Sequence, residues 1–83
     1  MEKETFSSSL KSILEAQDVT ASELSRMVGV THQAVQSLIR KNNPTIDVAI
    51  RYLSNLGYDV AFVRRGKRLP EGSYVIGSSK EHE

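Results

Sequence analysis

The sequence predicts a mainly α domain: four amphipathic helices followed by a short β-strand or hairpin. Three observations carry that expectation. Apolar residues recur at helical spacing in four successive segments, each bounded by capping or turn residues. After Gly57 the period changes from helical to extended. The chain has 83 residues, 39% hydrophobic and 25% charged, which suits one small domain and leaves no room for a second core.

Phe6, Leu10, Ile13 and Leu14 recur at spacings of four, seven and eight, which places them on one face of a helix over residues 5–17. Thr20, followed three residues later by Glu23, is a capping box that opens a second helix with Leu24, Met27 and Val28 facing inward. Gly29 supplies the left-handed backbone that ends it, and Thr31 caps a third helix over residues 32–41, with Val35, Leu38 and Ile39 as its apolar stripe. Asn42, Asn43 and Pro44 break the chain. Thr45 is the next cap, Asp47 suits the positive helix end, and Ile46, Ala49, Ile50, Leu53 and Leu56 define the fourth helix. Gly57 ends it. Residues 58–63, rich in aromatic and β-branched types, read as a strand. A basic connection containing Pro70, Gly66 and Gly72 leads to Tyr74, Val75 and Ile76, a second short strand antiparallel to the first. The expected organisation is one domain over residues 1–83: a helical core at 5–57, a β extension at 58–76 and a polar tail at 77–83.

Composition narrows the function classes. Without cysteine there is no disulfide framework and no thiolate zinc site, so the fold stands on packing alone or shares its core with a partner. No apolar run reaches signal-peptide or membrane-span length, so the cytoplasm is the expected compartment and a membrane is not an expected partner. A net charge of +1 argues against a protein that coats polyanions, but the average hides the distribution. Residues 31–46 contain Arg40 and Lys41 and no acid, residues 64–68 read RRGKR, and Glu2, Glu4, Glu15, Asp18 and Glu23 concentrate acid early in the chain.

Two short helices joined by Gly29, Val30 and Thr31 make a helix-turn-helix, a geometry that presents its second helix to the major groove of DNA. The stretch TASELSRMVGVTHQAVQSLIRKNNPTIDVAIRYLSNLG resembles the Cro/cI (Xre-type) helix-turn-helix family over roughly residues 6–57. The match includes the leucine of helix two, the turn of glycine, hydrophobic residue and threonine, the hydrophobic pair on the recognition helix, the Asn-Pro connection, and the leucine-rich fourth helix ending in Leu56 and Gly57. Ala21 stands where many phage members carry a glutamine that touches phosphate, and Ser25 where alanine is more usual. The resemblance implies sequence-specific binding of operator DNA, usually as a homodimer and usually in transcriptional control. Phage members commonly add a fifth helix, whereas YDVAFV looks like the HipB-type antitoxins, in which a strand after helix four pairs across the dimer.

On the recognition helix, His32, Gln33, Gln36 and Ser37 are the expected base-contacting residues, Gln33 because an amide can pair bidentately with adenine. Thr31, Arg40, Lys41 and Asn42 flank that helix where phosphate lies, and Thr20 and Ser22 open a helix whose N-terminus attracts anions. Tyr58, Val60 and Phe62 share one strand face, expected to cover the helical core, and Ala61 and Val63 share the other. Paired antiparallel across a two-fold axis, this strand is the expected dimerisation element, with the recognition helices near ~34 Å apart on an inverted-repeat operator. The RRGKR segment reads equally as a solvated loop tip or as a contact with phosphate or an acidic partner. His32 has no second ligand nearby, and no serine, histidine and carboxylate arrangement or glycine-rich phosphate loop is present, so neither metal, cofactor nor enzymatic activity is expected. Two readings remain: a DNA-binding transcriptional regulator, and an antitoxin that neutralises a toxin and autoregulates its own operon.

Overall fold

Every helix begins on a threonine in extended conformation. In the computed structural model, which describes residues 5–76, the helices are α1 (Phe6–Gln17), α2 (Ala21–Val28), α3 (His32–Lys41) and α4 (Ile46–Ser54). The hydroxyls of Thr5, Thr20, Thr31 and Thr45 accept the N–H groups of Ser8, Glu23, Ala34 and Val48 at 3.1–3.2 Å. Each cap satisfies an amide that the helix itself cannot, a contribution of about 1 kcal/mol. At α2 the bond is reciprocal, because Glu23 Oε1 accepts the Thr20 N–H at 2.8 Å. α1 uses Ser8 Oγ in the same way, at 3.2 Å from the Thr5 N–H. The Thr20 amide and hydroxyl, with the cation of Arg26 close by, hold the Glu23 carboxyl below the usual carboxylate range.

Helix ends are stitched across the fold by side chains. The Arg51 guanidinium of α4 donates to the Val28 carbonyl at the end of α2, at 3.0 Å. Gln17 Nε2, the last residue of α1, donates to the Leu56 carbonyl just after α4, at 2.8 Å. Ser7 makes two bonds to the end of α3: its hydroxyl donates to the Ile39 carbonyl at 2.6 Å, and its N–H donates to Asn42 Oδ1 at 2.8 Å. Asn42 is the α3 C-cap and holds a left-handed backbone at φ 56°, which its short side chain tolerates.

Leu10, Leu24 and Val35 are fully buried, each contributing roughly 1.5–3 kcal/mol by leaving water. Around them lie Phe6, Ile13, Leu14, Val28, Ala49, Tyr52 and Leu56, so the α1 stripe is the one predicted. α4 is rotated from the expectation. Ala49 and Leu56 are buried as predicted, but Ile46 and Ile50 are 60% and 43% exposed, and Tyr52 points inward in their place. Its sequence carries two overlapping stripes, and the one with Tyr52 buries the larger ring surface. Burial pushes the Tyr52 hydroxyl up from its ordinary pKa, against the opposing pull of the Arg51 cation. Met27 is likewise 43% exposed, not inward, because the small Ser25 occupies the buried face of α2.

The C-terminal expectation requires correction. Neither residues 58–63 nor Tyr74 and Val75 form a strand, and among the described residues Ile76 alone is in an isolated bridge. A strand exists by pairing with another, and among the described residues none of residues 59–63 makes a backbone hydrogen bond. Only Tyr58 packs on the core as predicted; Val60 is exposed and Phe62 is 99% exposed. The segment is tethered instead by its rings. Tyr58 and Tyr74 lie 6.1 Å apart at 60°, and the Tyr58 hydroxyl donates to the Gly72 carbonyl at 3.3 Å. Between this segment and the helices lies an apolar groove of about 670 Å³ lined by Phe6, Leu10, Ile13, Leu53 and both tyrosines.

Gly29 ends α2 at φ 87°, its N–H and that of Val30 both bonded to the Ser25 carbonyl at 2.9 Å. A β-branched residue is strained there, so Gly29→Val lowers stability by about 1–3 kcal/mol in a denaturant melt. An unchanged midpoint would refute the strain. Ser7→Ala removes the hydroxyl bond to α3, with an expected loss of about 1 kcal/mol and faster amide exchange in the last turn of α3 than in α2. Equal protection in both helices would show that the clamp does not hold α3.

Candidate nucleic-acid interface

α3 buries only Val35 completely, with Leu38 and Ile39 half-buried beside it. Helical periodicity then forces the opposite side into solvent. His32, Gln33, Gln36 and Arg40 are exposed and Ser37 is half-buried, so the structure places the four predicted base-contacting residues and one cation on the free side of one helix. The helix carries no acidic residue. His32 and Gln36 are one turn apart and in contact, with Gln36 Nε2 3.2 Å from His32 Nε2. The amide therefore donates to the ring in the tautomer that leaves this nitrogen bare, and the two side chains hold each other in place.

The flanking residues divide into engaged and open. Arg40 and Lys41 are exposed in the last turn of α3, where their cations face the negative helix end. Asn42 has its amide oxygen committed to the Ser7 N–H, so only its amide nitrogen remains to donate outward. The Thr31 hydroxyl oxygen accepts from Ala34, and its proton points elsewhere. At α2, the Thr20 amide and hydroxyl are both engaged with Glu23, whose carboxylate already supplies a negative charge to that N-terminus. Ser22 is exposed and is the more open of the two, although its carbonyl accepts the Ser25 hydroxyl at 2.6 Å.

Sequence reasoning missed three residues that aim this surface: Ser7, Gln17 and Arg51. Their partners lie 35 or 32, 39 and 23 residues away, beyond any local pattern. One signal was legible: asparagine is, after glycine, the residue most at home in a left-handed C-cap, and Asn42 precedes a proline break. Among the described residues no group of three His, Cys, Asp or Glu side chains could hold a metal ion, and no helix is long and apolar enough to cross a membrane.

Comparison with known proteins agrees with this geometry. A family model described as helix-turn-helix matches residues 10–63, about two thirds of the chain and all of α2, α3 and α4. No curated protein and no solved structure gives a significant match. The two short helices α2 and α3 joined by a left-handed turn at Gly29, with α3 facing outward, are a helix-turn-helix, and the chain belongs to the helix-turn-helix family of the Cro/cI type, a family of DNA-binding transcription regulators.

Proposed function

We propose that this chain is a cytoplasmic repressor of transcription that binds an inverted-repeat operator as a homodimer. One observation carries the reading: α3 exposes His32, Gln33 and Gln36 on an acid-free face while the Ser7 bonds to its end tie it to α1. A rigid helix with hydrogen-bonding tips is the device that enters a major groove and distinguishes base pairs. Gln33 and His32 read base edges near the helix N-terminus, with Gln36 and Ser37 one turn on. Arg40, Lys41, Ser22 and the amide nitrogen of Asn42 hold backbone phosphates and fix register, and Thr20 and Thr31 secure the helix starts beside them.

The segment after α4 supports dimerisation. Among the described residues, 59–63 make no backbone hydrogen bond, and they include a fully exposed Phe62 and half-exposed Val63 on a chain that carries an apolar groove. A phenylalanine buries roughly 150–250 Å² when covered, and a two-fold axis covers two of them at once. Tyr58, Val60, Ala61, Phe62 and Val63 then gain in the dimer the ladder that a single chain does not have. The same exposed ring favours a second reading, in which the protein partner is a toxin and DNA binding serves autoregulation.

Gel shifts on the DNA upstream of the chain's own coding region separate base contacts from phosphate contacts. Gln33→Ala weakens cognate binding by about 1–3 kcal/mol and relaxes discrimination, whereas Lys41→Ala weakens all duplexes alike and reduces the salt slope by about one unit. Intact affinity and selectivity in Gln33→Ala would refute the docking of α3. Sedimentation equilibrium tests the assembly: a micromolar dimer is expected for the full chain, and at least a tenfold rise in its dissociation constant for Phe62→Ser, with the single-chain fold unchanged. A wild-type monomer would refute the homodimer and turn attention to the toxin reading.

A further inference from the structure

The RRGKR turn is absorbed by neither the recognition helix nor the dimer segment. Arg64, Arg65, Lys67 and Arg68 are all exposed, and no ion pair engages them among the described residues. The Lys67 N–H donates to the Arg64 carbonyl at 3.3 Å and Gly66 takes φ 89°, so the chain reverses sharply and four exposed cations are gathered at a single bend. A side chain at Gly66 would meet nothing within 4 Å, which leaves the apex bare and open to close approach. The bend follows residues 58–63, whose Tyr58 packs on the helical core.

Charge arithmetic decides what this bend is for. The chain has 11 Lys and Arg against 10 Asp and Glu, a net +1. Without the four cations of the bend, 7 face 10, and the remainder is −3. A body of that sign is repelled by DNA, and its 7 cations already include Arg40 and Lys41, the two that α3 offers to phosphate. Two phosphate contacts give a salt slope of only about −1.8 for log affinity, whereas six give about −5.4. Three of the four cations are arginines, whose planar fork suits bidentate contact with phosphate oxygens.

We propose that the bend at residues 64–68 is a second DNA-backbone element, which grips duplex phosphates outside the base pairs that α3 covers and supplies most of the chain's sequence-independent attraction to DNA. This rests on the DNA-binding reading of α3 but uses none of its residues.

The test measures fluorescence anisotropy of a labelled 30-base-pair duplex of random sequence between 50 and 200 mM NaCl, with the full chain. Neutralising the bend (R64Q/R65Q/K67Q/R68Q) is expected to weaken binding at least tenfold at 100 mM and to reduce the salt slope by about 3.6 units, with an unchanged melting temperature. Keeping the charge (R64K/R65K/R68K) is expected to stay within threefold of wild type. A slope that changes by less than one unit on neutralisation would overturn the proposal while leaving α3 as the DNA reader, and would assign the bend to an acidic protein surface. An equal loss in the charge-keeping variant would also overturn it, because the cause would then be shape. If the wild-type chain binds no duplex even at 50 mM, the DNA reading of α3 fails and this inference fails with it.

Discussion

The two bonds from Ser7 to the end of α3 are the constraint on which the rest of the surface depends. A helix that must lie in a groove cannot bury both of its sides, and α3 has a single fully buried residue, Val35. Val35, with the half-buried Leu38 and Ile39 beside it, seats the helix on its neighbours. Direction comes from the polar bonds at its end, where the Ser7 hydroxyl and amide tie α3 to α1, while Thr31 caps the start of α3 locally. Ser7 is itself buried in the first turn of α1, so the recognition helix is referenced to the helix that contributes more buried core residues than any other.

The same arrangement recurs at the other helix ends. Arg51 ties α4 to the last carbonyl of α2, and Gln17 ties α1 to the chain after α4. Terminal carbonyls have no partner within their own helix, and in a domain this small they lie close to the packed interior. Answering them with side chains from other helices satisfies the groups and fixes the crossing geometry at once. Among the described residues, no buried side-chain polar atom is left without a hydrogen bond.

How much of this was legible from sequence follows from the range of each interaction. Caps act over three residues, so Thr20 with Glu23, and Thr31 and Thr45 as starts, could be read directly, as could the left-handed turn at Gly29. The α1 stripe has one apolar face and no competitor. α4 has two, and choosing between Ile50 and Tyr52 requires knowing which neighbour receives the ring. The exposed face of α3 was legible because its inward stripe is unambiguous. Its attachment through Ser7 was not, since a serine in a run of three carries no sign of a partner more than thirty residues away. The extended period of residues 58–63 was visible, but pairing is a property of two segments and cannot be read from one.

The separation between what holds α3 and what it displays has an evolutionary consequence. Val35 and the end bonds hold the helix, while Gln33 and its exposed neighbours leave the core untouched. Substitutions at such surface positions usually change stability by within about 0.5 kcal/mol, so a new target preference can be acquired without passing through poorly folded ancestors. The positions are not equally free to drift. Gln33 makes no side-chain bond to another residue among the described ones, whereas His32 and Gln36 touch and so evolve as a coupled pair. Divergence among descendants of this chain is therefore easiest one letter at a time at position 33, and requires concerted change at 32 and 36.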